Sequence, residues 1–129
     1  MTIKIELSYG EMLDKITILK IKSERITDKS KLVNVNKELA LLDGLWKADP
    51  KSSDDITKEI AELKSINEAL WEIEDDIRDK ERAKEFDERF IELARAVYVT
   101  NDKRANVKRL INEKLGSDLI EEKSYADYS

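Results

Sequence analysis

Carboxylates, lysines and arginines are the abundant reactive side chains of this 129-residue sequence, which holds no histidine and no cysteine. Their absence removes the disulfide, the thiol nucleophile, the imidazole or thiolate metal ligand and the Ser-His-Asp triad. Chemistry falls to Asp, Glu, Lys, Arg, Tyr and Ser/Thr, or to a hard cation held by oxygen. Three clusters have a spacing that suits it. In the first, Asp14, Ile18, Ile21 and Arg25 follow one another at steps of four, three and four, with Glu11 one turn before Asp14. On a helix that line is a second, partly buried face, whose charges need partners. Structural salt bridging is the plain reading, and a ligand pocket lined by Glu11, Asp14 and Arg25 is the functional one.

The second cluster is acidic. Glu72, Asp75, Asp76 and Asp79 share a helix face, and Glu59-x-x-Glu62 precedes Glu72-x-x-Asp75. Paired carboxylates on helices can hold Mg²⁺, and the pattern is similar to the all-α nucleoside-triphosphate pyrophosphatases, although the gap is shorter than their second helix requires. Arg78, Lys80 and Arg82 offer intrahelical partners, so a solvated charged face explains the same residues. In the third cluster, Thr100-Asn101-Asp102 reads as a helix cap followed by Lys103, Arg104 and Lys108. A helix start rich in bases favours a phosphate, a sugar phosphate or a carboxylate. The string Lys123-Ser124-Tyr125 can complete such a site. The rival reading pairs these bases with the acidic third helix or with Glu121 and Glu122.

The elements that position these clusters are helical throughout. A content of 41% charged residues, with one proline and three glycines, suits helices and little else. Residues 2–7 alternate with period two and predict a short strand or arm. Ser8 and Glu11 form a capping box for a helix from about Tyr9 to Ile26. A turn at Thr27–Ser30 restarts a second helix with a coiled-coil-like seam of Leu32, Val35, Leu39, Leu42 and Trp46. Pro50 stops it. A third seam runs through Ile56, Ile60, Leu63, Asn67, Leu70, Glu74 and Ile77 from a cap at Ser52 or Ser53, and pairing it with the second predicts an antiparallel helical hairpin. Whether residues 53–100 make one helix or two stays open. Trp46, Trp71, Phe86, Phe90 and Tyr98 fall on or beside the seams and read as core. Gly116 sits where a helix-terminating glycine belongs, and the tail to Ser129 keeps enough apolar residues to dock. The expectation is one all-α domain over residues 1–129, a helical bundle of four to five helices.

The net charge of −5 makes nucleic acid an unfavourable partner. Its distribution is uneven: residues 51–82 carry eleven acids against six bases, whereas 103–116 carry five bases and one acid. No apolar run reaches the span of a membrane, and the N-terminus has no signal-like apolar region, so a cytoplasmic location is the expectation.

Several strings together resemble a small all-helical domain-of-unknown-function family of bacteria and phages. They are Ser8 through Lys22 with Glu24-Arg25-Ile26, Leu70 through Arg78, Asn101-Asp102-Lys103-Arg104-Ala105, Gly116-Ser117, and Glu121 through Tyr125. That family has no established activity, so the resemblance implies no catalytic residue and no cofactor. It does fall on the first and third clusters and adds the tail.

The combined expectation is a helical binding or interaction protein, homodimeric through helix 1 or the hairpin. Its small anionic ligand would meet Glu11, Asp14, Arg25, Lys103, Arg104, Lys108, Lys123 and Tyr125. The alternative is a Mg²⁺-dependent all-α nucleotide pyrophosphohydrolase, which requires Glu59, Glu62, Glu72 and Asp75 to converge.

Overall fold

Ser8 opens the first helix as its spacing to Glu11 predicts: its Oγ accepts the Glu11 backbone N–H at 3.2 Å. The computed structural model describes residues 1–128. Its helices are α1 (Tyr9–Arg25), α2 (Lys29–Ala48), α3 (Thr57–Ala83) and α4 (Glu88–Leu115), with a 3₁₀ turn at Pro50–Ser53. Asp28 caps α2 by accepting the backbone N–H groups of Ser30 and Lys31. Residues 1–7 form no strand; they are an exposed arm.

The third seam ends earlier than a single long helix would. Lys84 takes a left-handed conformation, φ 58°, and closes α3. Asp87 then caps α4 by accepting the Phe90 N–H at 3.0 Å. Residues 53–100 therefore contain two helices. Ser52 and Ser53 lie in the 3₁₀ turn, and α3 starts after Ile56 without a side-chain cap. α4 runs unbroken through Thr100–Asp102, so these residues are not a cap.

The hairpin also differs from the expected one. α3 and α4 make the most extensive helix pair, antiparallel across the four-residue link 84–87, and Lys114 near the end of α4 reaches Glu59 near the start of α3. α2 lies against α1 instead of pairing with α3. Seams with steps of three and four state only that a face is buried, not against which neighbour. The seam itself holds, with Val35 and Trp46 buried and Leu32, Leu39 and Leu42 partly so.

α1 packs against all three other helices, which accounts for its two apolar faces. Leu13, Ile16 and Trp46 join Leu63, Ile111 and Leu115 in one core. Truncating a leucine such as Leu63, fully buried here, costs about 2–5 kcal/mol in comparable cores. Tyr9 ties α1 to the end of α2: its ring meets Trp46 edge-on at 6.1 Å and its hydroxyl donates to Asp49 at 3.0 Å. Burial first, then that carboxylate, raises the Tyr9 pKa. Phe86 and Tyr98 are corrections to the expected core: both are exposed, and Phe86, at the α3–α4 link, stacks edge-on with Phe90. No described helix is long and apolar enough to cross a membrane.

Candidate functional site

Asp14 is 1% exposed and lies where α1, α3 and α4 meet. A carboxylate so buried requires both a countercharge and hydrogen bonds to offset its desolvation. It has both. Arg104 of α4 grips it with two bonds, Nε to Oδ1 at 3.0 Å and an Nη to Oδ2 at 2.6 Å. Asn67 of α3 donates to the same Oδ1 at 2.9 Å and to the Thr17 hydroxyl at 3.0 Å. The polar break at Asn67 in the third seam is thus the α3 member of a buried network. Lys108, one turn after Arg104, donates to Glu11 at 2.7 Å and to Glu121 of the tail at 3.1 Å.

Two of the three clusters are therefore one. Glu11 and Asp14 from α1 face Arg104 and Lys108 from α4, with Glu121 closing from the tail. Burial pulls the Lys108 pKa down, but hydrogen bonds to Glu11 and Glu121 and the charge of Asp14 outweigh it, and the net shift is upward. Arg104 follows the same balance, with Asp14 overcoming its desolvation. Both stay cationic across the physiological range.

α1 and α4 approach closely beside this network. The Gly10 N–H donates to Asn112 Oδ1 at 2.6 Å, and a Cβ at Gly10 would stand 2.5 Å from the Lys108 carbonyl oxygen. Asn112 also accepts from the Ser117 hydroxyl, which itself accepts the Tyr9 N–H. The tail is thus fixed at its root by hydrogen bonds. Further along it is held by Lys108–Glu121 and Arg109–Glu122, and by Tyr128 against the Tyr98 ring at 5.1 Å. It docks mainly through polar contacts, while Leu119 and Ile120 remain exposed.

Two adjoining clefts border the network. The smaller, about 130 Å³, lies between α4 and the tail and is lined by Asn101, Arg104, Ala105, Lys108, Glu121 and Lys123. The larger, about 460 Å³, lies between α1, α3 and α4. Its apolar walls are Ile18, Ile21, Leu70 and Trp71; Lys22, Asn67, Glu74, Asp75 and Arg78 supply the polar lining. Asn101 and Arg104 line both clefts, so the two meet along one turn of α4.

The remaining expected site residues lie apart. Arg25 pairs with Glu68 and Glu72 at the far end of α1. Lys103 is exposed on α4 and lines neither cleft. Tyr125 is exposed, with the Lys123 ammonium 5.6 Å from its ring centre. The anion argument built on a helix start is overturned, because Arg104 and Lys108 stand in the middle of α4. Trp71, expected in the core, is half-buried and lines the larger cleft. Neither its role nor that of Asn101 had a signal beyond lying in a recurring string.

The acidic cluster does not gather. Glu59 is buried against Lys114, which lowers its pKa through their hydrogen bond. Glu62 and Glu72 pair at the surface with Lys58 and Arg25. Among the described residues, no group of three or more carboxylates is placed to hold a metal ion.

No curated protein and no solved structure matches this chain. The two clefts and the ion network draw on the strings of α1, α3, α4 and the tail, and a family model spans the same length, residues 3–128: the chain belongs to the family of unknown function DUF6165.

Proposed function

We propose that this is a helical binding protein whose ligand carries a phosphate or sugar-phosphate anion, held between α4 and the C-terminal tail. The supporting observation is that Arg104, Lys108 and Lys123, drawn from two chain segments, border one small cleft. Within it the Glu121 carboxylate, itself half-exposed, already accepts from Lys108 as an internal anion. An incoming phosphate would displace it, replace that charge-assisted hydrogen bond and add others from Arg104 and Lys123. The Mg²⁺-dependent pyrophosphohydrolase is less well supported, since three of its four carboxylates, Glu59, Glu62 and Glu72, pair with separate bases.

Calorimetric titration with inorganic phosphate tests the reading. Lys123 carries no ion pair among the described residues, so Lys123→Ala should weaken binding about fivefold with an unchanged melting temperature. Glu121→Gln should strengthen it by releasing Lys108. Failure of phosphate to bind, or indifference to both substitutions, overturns the anion site.

The homodimer remains a proposal as well, on a different face. α1 is covered by its own chain, whereas α2 leaves Val33, Leu41 and Leu45 exposed on the side away from α1. Light scattering at tens of micromolar should give twice the chain mass, and Leu41→Glu should halve it. A wild-type monomer removes the proposal.

A further inference from the structure

The geometry points to a ligand in two parts: a nucleoside monophosphate whose base enters the larger cleft while its phosphate meets the bases of the smaller one. This rests on the anion reading above and names the class of molecule that carries the anion.

The two clefts share Asn101 and Arg104, which stand one turn apart on α4, as a common border. Anything anchored at Arg104 by a phosphate therefore has an adjacent volume to fill. That volume, about 460 Å³, is in the range of pockets that enclose small organic ligands, whereas the smaller cleft has the scale of a single anion. Its walls suit a flat ring. Ile18 and Ile21 come from α1, and Leu70 and Trp71 from α3, so aliphatic side chains and one indole from two helices line the same cleft. Stacking on an indole is the usual way a protein holds a nucleobase without reading it by hydrogen bonds.

The polar lining fits the rest of the molecule. Asp75 carries no ion pair among the described residues, and Lys22 carries none either. A carboxylate accepts hydrogen bonds from ring amino groups or ribose hydroxyls, and an ammonium donates to ring carbonyls. Arg104 is already oriented by its two bonds to Asp14, which use one edge of the guanidinium. Among the described residues the remaining N–H donors of that fork have no hydrogen-bond partner, which leaves them for a phosphate at the boundary of the clefts. Asp14 thus positions Arg104 without touching the ligand. A free sugar phosphate shares the anion but offers no flat face to Trp71, which separates the two sources of the same phosphate.

Calorimetry on the intact protein with four probes decides it: inorganic phosphate, ribose 5-phosphate, uridine 5′-monophosphate and adenosine 5′-monophosphate. At least one nucleotide should bind about 5- to 150-fold more tightly than ribose 5-phosphate, the range one stacking contact supplies. Trp71→Leu should erase that advantage and leave the affinity for inorganic phosphate unchanged. Asp75→Asn, at an exposed and unpaired position, should lower nucleotide affinity without lowering the melting temperature. If Trp71→Leu unfolds the protein, the Asp75→Asn result alone decides. Equal affinity for ribose 5-phosphate and the nucleotides overturns the base site and leaves the anion site standing. Failure of all four probes overturns both.

Discussion

At the scale of single residues, Asp14 is the position on which most depends. Removing one partner of a buried ion pair leaves an uncompensated charge, at a cost of about 3–5 kcal/mol. Arg104→Met should fall near the lower end, about 3 kcal/mol by urea denaturation, because Asn67 still donates to Asp14 and Lys108 lies 3.9 Å away. A loss below about 1 kcal/mol would mean that the pair is solvated like a surface bridge. Gly10 is a second such position. A methyl group there meets backbone, the Lys108 carbonyl at 2.5 Å, which cannot rotate aside. Gly10→Ala should therefore destabilise by about 1–3 kcal/mol despite alanine's better helix propensity. Glu59 gives a pH dependence with a fixed sign. Its folded pKa is lowered by Lys114, so its contribution is present above the ordinary glutamate range and fades as pH falls through the folded value. Melting temperatures of Glu59→Gln and wild type should differ at neutral pH and converge as the pH falls through the folded value. A constant difference across that range would contradict the assignment.

At the scale of elements, the links between helices carry more information than the helices themselves. The α3–α4 link turns at Lys84, a residue whose side chain disfavours the left-handed conformation by about 1–2 kcal/mol. Lys84→Gly should raise stability by up to about 1 kcal/mol, since the ion pair it removes among the described residues is the exposed contact to Glu81. A lower urea midpoint for the variant would show that the turn is held by something other than backbone geometry. Gly116, φ 68°, ends α4 in the same conformation with the residue that suits it, and its position was legible in the sequence. Lys84 was not, because a lysine signals no turn. Asp87 supplied a cap that served no periodicity, so the length of α4 and the mid-helix place of Arg104 were likewise hidden.

At the scale of the whole molecule, α1 is the central strut, and its two apolar faces mark it as such in the sequence. Composition and seams alone established an all-α fold, the start of α1, the seam of α2 and the need for partners at Asp14 and Arg25. Those are local properties, set by helical periodicity, capping and the cost of burying charge. Only the tertiary structure decided that α3 pairs with α4, that Arg104 rather than Arg25 answers Asp14, and that Lys123 returns beside Lys108. The physical reason is that an apolar face or a buried charge specifies a kind of neighbour and not its identity. With 24 bases and 29 acids in the chain, many pairings satisfy the same local demand. Shape decides among them, through the close α1–α4 approach at Gly10 and the turn at Lys84.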